Sequence, residues 1–206
     1  MPSISFIVSA FNRPDHLRCC LASLALQGGS HEIIVADNSM DSCIRYLHEG
    51  IAARFDARWM PTEQPSSYHS AELVAPLTIG EWLCFPSDDS YYVPHFSDRM
   101  LSFAARHGWD LVYSDTAYDW SGHFPLNHPK LIDGVLRVEP RVNWIDKTSF
   151  MIKRQWMVND ETKETIAPFP GKNGSLPTAS DGLFIESLRR KGIRHGKAPG
   201  VMVVHN

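Results

Sequence analysis

Apolar residues in this chain come in short uninterrupted runs that alternate with segments of helical spacing. Residues 4–9, ISFIVS, read as a strand; Pro14 then opens a helix whose Leu17, Cys20, Leu21 and Leu24 recur on one face until Gly28-Gly29 stops it. The run EIIVA at 32–36 has the continuous apolar character of a parallel strand covered on both sides, and it ends in Asp37-Asn38-Ser39. A short helix over 41–47, a strand over 58–60 and a helix over 68–77 follow. The next buried strand, 82–85, delivers Ser87-Asp88-Asp89 at its end. Pro94 starts a helix with Phe96, Met100 and Phe103 on one face, and 111–113 is again a strand. Repeated strand–helix units predict an α/β fold built on a mostly parallel, doubly wound sheet, in which ligands bind beyond the carboxyl ends of the strands. Asn12, Asp37, Asp88 and Asp89 all fall on that edge.

Beyond residue 114 the pattern loosens into a turn-rich stretch, a hairpin through 135–138 and a strand at 150–152. Residues 159–180 are polar and rich in Pro and Gly, which predicts a flexible loop or lid. A helix over 181–191 ends at Gly192, and a last strand over 201–204 finishes at His205. The expectation is one domain over 1–206, regular over 1–114 and looser over 115–206.

Composition narrows the function classes. The chain of 206 residues is 43% hydrophobic and 21% charged with a formal charge of -3, so it lacks the basic field that a nucleic-acid partner requires. The four cysteines, Cys19, Cys20, Cys43 and Cys84, form no C-x-x-C pair and read as buried thiols of a reducing compartment. No window is apolar over a length that crosses a bilayer, and the N-terminus lacks the basic flank of an export signal, which makes the cytoplasm the expected location. The end at Asn206 is compatible with one domain of a longer polypeptide.

The adjacent carboxylates Asp88 and Asp89 pose a physical problem, because like charges repel and each costs free energy on losing water. On the residues alone, a bound cation and a helix-opening turn explain them equally well. Asp37 has the same two readings: a hydrogen-bond acceptor for a nucleoside, or the side chain of a turn.

Taken together, ISFIVSAFNRPDHLRCCLASLALQ, EIIVADNS, GEWLCFPSDDS and ASDGLFIESLRRKG resemble, in order and spacing, the nucleotide-sugar-dependent glycosyltransferases of the GT-A fold, in particular family 2. The resemblance implies a Rossmann-like sheet with helices on both faces, with a nucleotide-sugar-binding half at 1–114 and an acceptor-side half at 115–206. It also implies transfer of a sugar, with inversion, from a nucleoside-diphosphate sugar, expected to be a UDP-sugar, to a glycan or other hydroxyl acceptor. Nucleotide contacts then fall on Ala10, Phe11, Asn12, Arg13, Asp37 and Asp88; a Mn²⁺ or Mg²⁺ ion falls on Asp89; the general base falls on Asp181. His205, at the end of the last strand, is either a second metal ligand, as a late histidine is in some GT-A enzymes, or an ordinary hydrogen-bonded imidazole. Trp144 and Asp146, in NWIDKTSF, resemble an acceptor-binding segment, with a core tryptophan as the alternative. The chain departs from the pattern in two places: Ser87 stands where the first Asp of Asp-x-Asp is usual, and Ala71 and Glu72 stand where the family carries a basic residue and Asn. Two other classes compete. A sugar-phosphate nucleotidyltransferase requires a Gly-rich basic loop that SAFNRPDH lacks, and a non-catalytic nucleotide- or sugar-binding module has no need of Asp181.

Overall fold

A computed structural model of the chain describes residues 3–63, 66–118, 131–132, 135–169 and 180–205. The strands are β1 (Ile4–Ala10), β2 (His31–Asp37), β3 (Arg58–Pro61), β4 (Trp82–Cys84), β5 (Ser90–Tyr92), β6 (Leu111–Tyr118), β7 (Leu131–Ile132), β8 (Val135–Leu136), β9 (Phe150–Lys153), β10 (Val158–Asn159), β11 (Glu164–Thr165) and β12 (His195–His205). The helices are α1 (Pro14–Ala25), α2 (Ser42–Arg54), α3 (Ser67–Val74), α4 (Phe96–His107) and α5 (Ser180–Arg190). One sheet runs β3-β2-β1-β4-β9-β6-β12-β5, with the β7–β8 hairpin attached to β6. This is the curled, mostly parallel sheet of a GT-A fold. Among the described residues no helix is long and apolar enough to cross a membrane.

Alternation along β1 explains the two layers of core. Phe6 and Val8 point to the side covered by α1 and α4, where Leu17, Leu21, Leu24, Phe96 and Met100 pack. Ile7 points to the other, with Ile34, Leu83, Phe85, Phe150, Phe184 and Leu188. Both faces are therefore dry, as the continuous apolar runs of β1 and β2 require.

Antiparallel β9 lies between β4 and β6. Because it runs the other way, its beginning meets the ends of its neighbours. Residues just before β9 thus arrive at the same edge as residues just after β1, β2 and β4.

The structure corrects several sequence expectations. The helix expected over 41–47 runs to Arg54, started by Asp41, whose carboxylate accepts from the backbone N–H of Cys43 at 2.7 Å and Ile44 at 3.3 Å. The loop expected over 159–180 is docked in its first part: Thr165 Oγ1 donates to the Glu72 carbonyl at 2.8 Å, and Phe169 is buried against Phe85 and Phe184. An aromatic anchor within the polar run keeps it on the core; residues 170–179 lie outside the described residues. Cys19 and Cys43 are exposed and only Cys20 and Cys84 are buried, since Cys19 sits one position off the apolar stripe of α1.

Candidate active site

The chain turns sharply out of β1. Asn12 has a left-handed backbone, φ 55°, a conformation Asn tolerates better than most residues. The turn exposes backbone donors: Phe11 N–H donates to Asp88 at 2.8 Å and Asn12 N–H to Ser39 Oγ at 3.0 Å. It also aims Arg13 back across the edge, where its guanidinium bonds Asp88 with one nitrogen and Asp89 with the other.

Asp88 and Asp89 reach this place because the chain stays beside β1 after β4 ends. Ser9 N–H donates to the Pro86 carbonyl at 2.9 Å and Asp88 N–H to the Ser9 carbonyl at 3.0 Å, and the chain then turns back into β5. Both carboxylates are buried. Burial pushes Asp88 up to about 6, even though Arg13 and the Phe11 N–H pull it down.

Asp89 Oδ1 is shielded from solvent and has no hydrogen-bond partner among the described residues. It faces His205 Nε2 at 3.9 Å, and His205 Nδ1 meets Ser90 Oγ at 3.2 Å. A tautomer with the proton on Nδ1, given to Ser90, leaves the Nε2 lone pair toward Asp89. Ligands of one Mg²⁺-sized ion at ~2.1 Å lie ~3.0 Å apart when adjacent and ~4.2 Å when opposite, so this carboxylate oxygen and imidazole are within reach of one divalent cation after a side-chain shift of under about 1 Å. No third His, Cys, Asp or Glu joins them among the described residues.

A cavity of about 370 Å³ opens beside this cluster, lined by Ser9, Ala10, Phe11, Arg13, Asn38, Met40, Ser66, Ser67 and Ser87. The Phe11 ring is half exposed at its mouth. Asp37 is absent from this lining. It is wholly buried, and its carboxylate accepts from Ser39 N–H at 2.9 Å and Trp59 Nε1 at 3.1 Å and pairs with His48 Nδ1 at 3.1 Å. Burial raises its pKa, but these bonds outweigh that and hold it below the usual range. Asp37 braces the edge while its neighbour Asn38 faces the cavity.

Across the cavity floor sits a second group. Asp181, in the first turn of α5, accepts from the Tyr68 hydroxyl and the Lys147 backbone N–H, while its Oδ1 is sealed from solvent without a partner among the described residues. Burial first, and the charge of Asp146 second, push Asp181 up to about 7. Tyr68 is raised by burial and by that carboxylate.

Asp146 itself is fully engaged: Oδ1 caps the following turn, accepting from Thr148 N–H at 2.8 Å and Thr148 Oγ1 at 2.7 Å, and Oδ2 accepts from the Tyr118 hydroxyl at 3.2 Å. Burial works against its charge, but His205, Thr148 and Lys147 keep its pKa low. Trp144 is only partly buried, with the Arg141 guanidinium over its ring at 4.4 Å. Of the NWIDKTSF segment, Lys147 is the residue that sequence reasoning passed over. It is buried, and its Nζ donates to Ser9 Oγ at 3.1 Å. The signal was present: a lysine between Ile145 and Phe150, in a stretch with no other cation.

The edge thus combines a serine-lined cavity, a carboxylate pair, and a third carboxylate with a near-neutral pKa. The sequence model of glycosyl transferase family 2 matches residues 5–163. The chain belongs to glycosyl transferase family 2. Among solved structures, this family 2 domain is similar to S. aureus TarS, with a TM-score of 0.72 and 17% identity over 100% of this chain and 37% of that one. Its likeness to TarS 1-349 in complex with UDP-GlcNAc has a TM-score of 0.72 and 17% identity, over 99% of this chain and 58% of that one. Glucosyl-3-phosphoglycerate synthase from Mycobacterium tuberculosis, in complex with Mn²⁺, UDP and glucosyl-3-phosphoglycerate, gives a TM-score of 0.61 and 19% identity, over 100% and 72% of the two chains. The family 2 domain described here therefore spans little more than a third of full TarS. A comparison with curated proteins finds no match.

Proposed function

We propose that this family 2 domain transfers a sugar, with inversion, from a UDP-sugar to an acceptor hydroxyl. The observation that carries the reading is Asp181: a carboxylate with one oxygen unpartnered among the described residues and a pKa near 7, on the same edge as the Asp88/Asp89 pair and the serine-lined cavity. Structural neighbours bound to UDP and UDP-GlcNAc support the choice of donor.

In this reading the nucleoside enters the cavity between Phe11, Asn38 and Met40, with the ring of Phe11 available for stacking. The diphosphate comes to lie toward Ser9 and Asp89. Asp181 accepts the proton of the acceptor hydroxyl as that oxygen forms its bond to the anomeric carbon. The bond from that carbon to the diphosphate breaks at the same time and its electron pair leaves with the phosphate. A carboxylate with a pKa near the working pH suits this role, since enough of it is ionised to act and it holds the proton well once taken. Asp89 and His205 are the residues that would hold a divalent cation, which when bound offsets charge on the leaving diphosphate.

Local charge supports the need for that cation. Asp88, Asp89, Asp146 and Asp181 are faced by the cations Arg13 and Lys147 and by the imidazole of His205, so a diphosphate would join a site already rich in negative charge. Calorimetric titration with UDP tests this: affinity is expected to fall about tenfold or more when Mn²⁺ is replaced by excess chelator, and Asp89→Ala is expected to remove the difference. Equal affinity in both conditions, unchanged in the variant, overturns the metal role, and no UDP binding under either overturns the donor.

A further inference from the structure

We propose that Lys147 is a donor-binding cation for the diphosphate, in place of the basic residue that the resemblance expects on the helix before Gly80-Glu81. This rests on the nucleotide-sugar reading of the site.

A lysine ammonium has three N–H donors. Among the described residues the one hydrogen bond of Nζ goes to Ser9 Oγ, with the Tyr68 ring 5.3 Å away, and no carboxylate lies within ion-pair distance. The side chain is nonetheless buried, 5% exposed. An ammonium that has lost its water and gained one hydroxyl is costly unless something else completes its shell. Burial accordingly lowers its pKa, while Asp181, Asp146, Asp88 and Asp89 together act to keep it charged.

Its position says what that something is. Ser9 Oγ accepts from Lys147 and donates to the Ser67 carbonyl at 3.2 Å, and both serines line the cavity. The ammonium, itself outside the cavity lining, therefore lies one hydroxyl behind it, beside the Tyr68 ring and within the electrostatic reach of Asp181, Asp146, Asp88 and Asp89. Of the site's two buried or half-buried cations, Arg13 already spans both carboxylates of the pair, so Lys147 is the one with donors to spare. Positions 71 and 72 do not help: Ala71 is apolar core, and the Glu72 carboxylate accepts from the Phe169 N–H. A chain segment from the opposite strand direction, the turn before β9, brings the charge that α3 does not carry.

During transfer the electron pair of the broken anomeric bond moves onto the diphosphate. Two N–H donors at a dry site stabilise that charge more than water does, and no proton has to move.

Titration of the parent chain, Lys147→Met and Lys147→Arg with UDP, uridine and inorganic pyrophosphate, each with Mn²⁺ and with excess chelator, tests the assignment. Lys147→Met is expected to weaken UDP and pyrophosphate about tenfold or more, leave uridine within about twofold, and melt no lower than the parent, because an unpaired buried charge is gone. Lys147→Arg is expected to restore part of the loss. UDP bound by Lys147→Met as tightly as by the parent, or an equal loss of UDP and uridine, overturns the proposal. Should the parent bind pyrophosphate as tightly as UDP, with both lost in Lys147→Met, Lys147 stands as an anion ligand and the nucleotide reading falls. If the parent binds neither, both fall.

Discussion

Asp181 and Asp37 are both aspartates around the candidate site, and their surroundings drive them in opposite directions. Asp37 is held ionised by three donors, whereas Asp181 is left half-satisfied beside another carboxylate. Turnover is therefore expected to rise with pH through about 7 as Asp181 loses its proton, and Asp181→Asn is expected to lower it by roughly 10²-fold or more with UDP affinity unchanged. Stability should move the other way. The folded pKa lies above the ordinary value of 3.8, so between about 4 and 7 the native state keeps a proton that the unfolded chain has released. Raising pH through that window costs the parent stability that Asp181→Asn, neutral throughout, does not lose. Melting curves of the two at about pH 5 and about pH 8 check this; a gap that does not widen in favour of the variant at the higher pH removes the buried-base account. What the sequence offered at this scale was local chemistry. Asp88 and Asp89 stand out because they are adjacent. Lys147, Tyr68 and Asp181 are far apart in the chain, and only the packing of α3, α5 and the turn before β9 brings them together.

Elements with a long apolar period were legible: β1, β2, α1, α4 and α5 fall close to where the pattern predicts them. Among the two- and three-residue strands, β4 was legible from its apolar run, whereas β5, β10 and β11 were not. These three are too short to show a period of two, and their pairing is settled by partners distant in sequence or by the turn between them. The pattern shows the last strand only over 201–204 because Gly196, Pro199 and Gly200 break its apolar run, although β12 begins at His195 and passes these residues through register shifts beside β6. Element packing also fixes the position of Asp181. The Gly182 position, next to Asp181, lies so close to the Val142 backbone that an added Cβ would stand 2.3 Å from Val142 Cα. Backbone has little room to give, so Gly182→Ala is expected to destabilise the fold by about 1–3 kcal/mol and to reduce turnover with it, since α5 must shift and carry Asp181 along. Gly50→Ala in α2, where nothing lies within 4 Å, is expected to be neutral or to stabilise by up to about 1 kcal/mol. Thermal melts of both, with sugar-transfer turnover for the first, check the contrast; a Gly182→Ala protein as stable and active as the parent defeats it.

At the scale of the whole domain, β12, the last strand in chain order, lies in an interior position between β6 and β5. It carries His205 to Asp89 and closes the sheet around the carboxylate pair. The consequence belongs to the order of assembly during synthesis. While the ribosome still covers residues 195–205, β6 and β5 have an open seam between them, with unpaired backbone donors and the apolar positions that pack on Met202 and Val203 exposed. Folding of this domain must wait until enough chain follows β12 for it to clear the exit tunnel. Ribosome-stalled chains ending at residue 206 are thus expected to be protease-sensitive until a linker of about 30 residues or more is added, at ~3.3 Å of extended chain per residue. Resistance at the shorter length would place the closing of the sheet earlier than this topology allows.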